Sequence, residues 1–153
     1  MKKRAFTLIE VITVIAILSI ISSITCIGIN NYYELNNKLN FEATVSDVRR
    51  LISYGKQYCR RYKVMGDIII DKYGKSIKFR VSDINHGITK EIEMDKDIKI
   101  TSKFNSNNIE INEEGFIKTS GTINILYKDE YKKEIKIGVG NDIIGVKEGD
   151  LID

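Results

Sequence analysis

Hydrophobic and polar positions divide this chain into three stretches with different periods. Residues 11–29 carry no charge, a run of about 19 residues, long enough to span a bilayer core as one helix. Beyond Ile29 the chain turns polar yet keeps a helical period. Val45, Val48, Ile52, Gly55, Cys59 and Tyr62 step by three and four and define one apolar face. The chain contains no proline, which leaves a helix over 6–62 unbroken, roughly 57 residues and about 85 Å long. Its first half is expected in a membrane and its second half against a domain.

From Asp67 the period changes to two. Residues 68–70, 77–81, 88–94, 98–100, 109–111, 122–127, 131–139 and 143–147 alternate as half-buried strands. Gly74, Gly87, Gly115, Asp129 and Asn141-Asp142 punctuate them as turns. Strands adjacent in sequence are expected to pair as antiparallel hairpins. The expected class is α+β, a long N-terminal helix packed on a small antiparallel sheet or two.

Composition adds one exclusion. The 153 residues are 42% hydrophobic and 29% charged, a folded rather than a disordered balance. The net charge of +3 resides in Lys2, Lys3 and Arg4. Lys plus Arg total 24 and Asp plus Glu 21, so without those three the two sets are equal. A uniformly basic nucleic-acid binder is not indicated. Cys26 and Cys59 lie too far apart on one helix to bridge. Their spacing suits neither a zinc site nor a redox pair.

The N-terminal run is longer than the core of a cleaved secretory signal, and 22–28 offers only a poor cleavage site. Ser23, three before Cys26, does not suit a lipoprotein signal. An ordinary signal anchor leaves Glu10 unexplained, because a carboxylate in the first turns of a membrane helix is costly without a partner. The basic residues ahead of the run orient it with the N-terminus in the cytoplasm.

Lys2-Lys-Arg-Ala-Phe6-Thr-Leu-Ile-Glu10-Val resembles the prepilin leader motif of type IV pilins and type II secretion pseudopilins. The resemblance implies cleavage by prepilin peptidase between Ala5 and Phe6, N-methylation of Phe6, and a role for Glu10 in assembly. There its carboxylate would meet the Phe6 amine of a neighbouring subunit and reward one register. Ala5 stands where the family usually has glycine, and the proline that often kinks the helix is absent. The implied organisation is a leader at 1–5, a membrane and filament-core helix at 6–29, an amphipathic half at 30–63 and a β domain at 64–153. Ala16, Ser19, Ser23 and Cys26 form a small-residue stripe suited to close helix approach.

Arg49, Arg50, Lys56, Arg60, Arg61 and Lys63 lie outside the apolar stripe. They read as a solvated face or, more sharply, as a contact for acidic partners or phosphates. Residues 40–147, with the Glu114-Gly115-Phe116 turn and Gly140-Asn-Asp-Ile-Ile-Gly145, resemble H-type minor pseudopilins and their FimT-like relatives. No catalytic constellation, phosphate loop, cofactor motif or Cys/His metal set is present in the sequence. His86, in Asn85-His86-Gly87, reads as a turn residue. Asp95/Asp97 and Asn141/Asp142 are isolated loop carboxylates that could take calcium.

Two functions compete on this evidence. One is a structural, minor filament subunit of a pilus, a secretion pseudopilus or a competence pseudopilus. Its implied partners are other pilins, prepilin peptidase, the inner-membrane assembly platform and membrane lipid. It starts as a single-pass inner-membrane protein and ends in an extracytoplasmic filament. The other is a membrane-anchored binding module, for example one that captures DNA.

Overall fold

The computed structural model describes residues 7–104, 108–128, 131–139 and 144–148. The leader junction Ala5/Phe6, Asp129 and the turn at 140–143, with Asn141 and Asp142, lie outside them. The described residues form one helix and eight strands, as the two periods predict. The chain divides into two compact units, Met1–Asn40 and Phe41–Asp153.

Helix α1 runs Leu8–Tyr62. In the first unit its Leu8–Thr25 segment has mean hydropathy 2.3 and buries none of its side chains within the chain. Four hydroxyls in this segment bond to their own helix. Thr13, Ser19, Ser23 and Thr25 each donate to the carbonyl four residues back, at 2.8–3.0 Å. A hydroxyl satisfied by its own helix adds little polarity to an apolar surface. Ser19 and Ser23 thus stand in the small-residue stripe without an open donor; the Cys26 side chain lies outside the described residues.

In the second unit, residues 41–62 of α1 meet two antiparallel sheets. The strands are β1 Gly66–Ile70, β2 Ser76–Val81, β3 Ile88–Glu93, β4 Ile98–Ser102, β5 Asn108–Ile111, β6 Gly121–Tyr127, β7 Tyr131–Ile137 and β8 Ile144–Glu148. One sheet has the order β3-β2-β1-β5 and the other β4-β6-β7-β8. Hairpins of sequence neighbours account for β1–β2, β2–β3, β6–β7 and β7–β8. The expectation fails at β4 and β5. β4 crosses to open the second sheet beside β6, and β5 returns to pair with β1. Alternation cannot foretell this, because Ile98/Ile100 and Ile109/Ile111 present the same buried-every-second pattern to either sheet. β4 is held near the β1–β2 turn by Ile100 N–H donating to Gly74 O at 3.0 Å.

Isoleucine supplies most of the core. Ile68, Ile77, Ile109, Ile123, Ile125 and Ile135 are fully buried, facing Phe41, Val45, Val48, Leu51, Ile52 and Cys59 of α1. β-branched side chains suit such a pleated, half-covered surface. Tyr62 departs from the expected apolar face. It is 38% exposed at the helix end, with its ring against Tyr58 and His86.

The helix ends without glycine. Lys63 has φ 55°, and Val64 N–H bonds Cys59 O at 3.3 Å, closing the last turn from a left-handed residue. Gly115 has φ 78° and lies so close to α1 that a Cβ there would strike the Lys56 carbonyl. The same conformational argument gives opposite signs at these two positions. Gly115→Ala is expected to cost about 2 kcal/mol or more, whereas Lys63→Gly should gain about 0.5 kcal/mol. Urea unfolding of the two variants in neutral detergent, followed by tyrosine fluorescence, checks both signs.

Candidate functional site

The residues that the sequence singles out fall in two places, one in each unit. At the start of α1, Thr7 precedes the first helical residue and Glu10 is the third. Thr7 N–H donates to Glu10 Oε2 at 2.9 Å and the Thr7 hydroxyl donates to the same oxygen at 3.1 Å. This is the side-chain-to-backbone half of a capping box, with the carboxylate folded back on the N-terminus of the helix. Glu10 therefore has a partner inside its own chain. The Thr-x-x-Glu spacing is the sequence signal of this contact. The arrangement turns the Glu10 carboxylate toward the N-terminal end of α1.

The second place is the outer side of α1 between Ser46 and Lys63. The structure does not keep the six predicted cations together. Arg49 and Arg50 border a shallow depression with Ser46, Ser53, Tyr54 and Gln57, and Arg50 also meets Asp47 at 3.3 Å. Lys56 is buried. Arg60 reaches the hairpin between β5 and β6, donating from Nε to Glu114 O at 3.0 Å with its guanidinium 5.6 Å from the Phe116 ring. Arg61 lies 5.6 Å from the Tyr62 ring, and Lys63 terminates the helix. Asn112 Oδ1 shapes the same hairpin by accepting from Glu114 N–H and Phe116 N–H at 3.1 and 2.8 Å. Together with Gly115 these contacts seat the hairpin on α1.

A ladder of rings follows the helix on another side. Tyr54, Tyr58 and Tyr62 succeed one another at four-residue spacing, and Tyr54 and Tyr58 meet Phe79 edge-on. Lys90 Nζ sits 3.7 Å over the Tyr54 ring. His86 is a turn residue, as its neighbours predict. Its carbonyl accepts from the Tyr58 hydroxyl at 3.1 Å and its ring stacks on Tyr62. Backbone N–H groups of Asn85 and His86 hold the Asp83 carboxyl below the usual range.

Cys59 is buried and unpaired with another cysteine. Among the described residues no three His, Cys, Asp or Glu side chains gather to hold a metal ion.

A family model described as the prokaryotic N-terminal methylation motif matches residues 1–25. The match supports the type IV pilin and pseudopilin reading of the N-terminus and ends within the apolar run. No curated protein and no solved structure matches the chain. The motif and the uncovered apolar helix are together consistent with anchoring in a membrane.

Desolvation pushes the Cys59 thiol up to about 11 from an ordinary 9.0, with the nearby Asp67 charge adding to the effect. The folded state holds this proton more tightly than the unfolded state. Its contribution to stability is therefore present below pH 9.0 and is lost as pH rises through about 11. In a Cys26→Ala background, maleimide at pH 7.5 should leave the folded chain unlabelled and label it fully in urea. Rapid labelling without urea would show an accessible thiolate.

Proposed function

We propose that this chain, whose first 25 residues carry the N-terminal methylation motif of type IV pilins and pseudopilins, is a structural, minor subunit of a helical filament. Prepilin peptidase removes residues 1–5, and the new terminus at Phe6 is methylated. The basic leader stays cytoplasmic, so the β unit faces outward before assembly. The filament is a type IV pilus, a type II secretion pseudopilus or a competence pseudopilus. The β unit resembles the H-type minor class.

One observation carries the reading. Leu8–Thr25 is apolar and uncovered along its whole length, while a carboxylate stands at its head. Lipid covers the apolar side chains but leaves Glu10 unfavourably placed. Packing against other copies of such helices covers the side chains and brings a second N-terminus near Glu10. The Thr7 contacts supply a local partner during the membrane stage, and the Phe6 amine of a neighbour supplies a charged one in the filament. Two of the six α1 cations are engaged in packing the β unit, Lys56 by burial and Arg60 through Glu114 O, which leaves fewer for a DNA-capturing alternative.

Intact-mass analysis of the protein from native cells should find Phe6 as first residue, carrying one methyl group. Retention of Met1 in mature filaments contradicts the reading. Glu10→Ala should leave insertion and cleavage unchanged while lowering recovery in sheared filaments by about tenfold or more. Equal recovery with the unaltered chain removes the assembly role of Glu10.

A further inference from the structure

Between Glu10 and Glu34 no charged residue interrupts α1. That interval is about 36 Å of helix, whereas the hydrocarbon core of a bilayer is about 30 Å thick. Charge alone therefore leaves the helix free to slide along the membrane normal by several ångströms, and other residues must set its depth. At the inner limit Glu10 is folded back on Thr7. The outer limit is composed differently. After Gly28 and Ile29 the chain runs Asn30-Asn31-Tyr32-Tyr33 and only then reaches Glu34.

Tyr32 and Tyr33 are 66% and 60% exposed, with ring centroids 6.1 Å apart in an edge-on contact. Successive side chains on a helix diverge by about 100°, so the pair presents aromatic surface to two sides of α1. One partner helix would cover one side, whereas a lipid layer surrounds both. Tyrosine joins an apolar ring to a polar hydroxyl, the combination that accumulates at membrane–water interfaces. Spacing agrees with that level. With Leu8 at the inner boundary, about 30 Å of helix reaches Gly28. The tyrosines then stand roughly 6–8 Å farther out, among the headgroups, and the amides of Asn30 and Asn31 clear the hydrocarbon. The surface they would meet there continues the uncovered apolar surface of Leu8–Thr25.

We propose that Tyr32 and Tyr33 anchor α1 in the phospholipid headgroup layer on the non-cytoplasmic side and so set the depth of the apolar segment before assembly. This anchoring belongs to the membrane stage of the proposed function and rests on it.

The chain has no tryptophan, so Tyr33→Trp, Ile24→Trp or Tyr73→Trp introduces a sole reporter. Each full-length variant is placed at low density in vesicles of phosphatidylethanolamine and phosphatidylglycerol, with nitroxides on the headgroup, high on the acyl chain or near its end. Tyr33→Trp should be quenched most by the headgroup and upper-chain probes. Iodide should reach it severalfold less than Tyr73→Trp, a position 73% exposed in the β1–β2 turn. Replacing Tyr32 and Tyr33 by Ala in the Ile24→Trp chain should change the ratio of quenching by the two acyl probes by about twofold or more. Iodide access equal to that of Tyr73→Trp overturns the anchor, while lipid quenching of Ile24→Trp in the same vesicles keeps the membrane stage. Protection from iodide without lipid quenching shows a protein partner at the pair and also overturns it. An unchanged ratio in the double-alanine chain overturns the setting of depth. Absence of lipid quenching at Ile24→Trp removes the membrane stage itself, and the anchor with it.

Discussion

Between Leu8 and Thr25, α1 exposes an apolar surface that the chain itself never covers. The hydrophobic effect penalises that surface in water in proportion to its area, so its surroundings must be lipid or other apolar helices. Several local features follow from this constraint. Hydroxyls turn back onto carbonyls of the same helix, which keeps Thr13, Ser19, Ser23 and Thr25 compatible with either surrounding. The one carboxylate sits at the extreme N-terminal turn, where the helix dipole and Thr7 both favour it. An acid in the middle of the segment would have neither.

The β unit is stabilised by ordinary means, through an isoleucine core between helix and sheets. Its particular features are close approaches. Gly55 leaves room for the Phe79 ring, since a Cβ there would lie 2.8 Å from a ring carbon. Gly115 lets the β5–β6 hairpin rest on the Lys56 backbone, and Arg60 ties down that hairpin. Residues that read in the sequence as surface cations therefore contribute to tertiary structure.

Much of this was legible in the sequence, and the exceptions have physical reasons. Period-two alternation located each strand to within about two residues, because one face of most strands is buried. It could not assign β4 and β5 to their sheets, since burial period carries no information on the partner. Helical spacing picked out Val45, Val48, Ile52, Gly55 and Cys59 but included Tyr62, which lies where the helix leaves the core. The role of Arg60 was not readable, because its carbonyl partner is 54 residues away. The Thr7–Glu10 contact was readable from spacing alone.

What covers the apolar helix in the cell decides between a filament subunit and a tether. A photo-crosslinking amino acid at Ile17, which is 57% exposed within the chain, reports its neighbours directly in native cells. The filament reading predicts crosslinks to other N-terminal helices of the same kind, lost when Glu10 is replaced by Ala. Crosslinks to lipid alone, identical with and without Glu10, would contradict it and leave the helix as a tether.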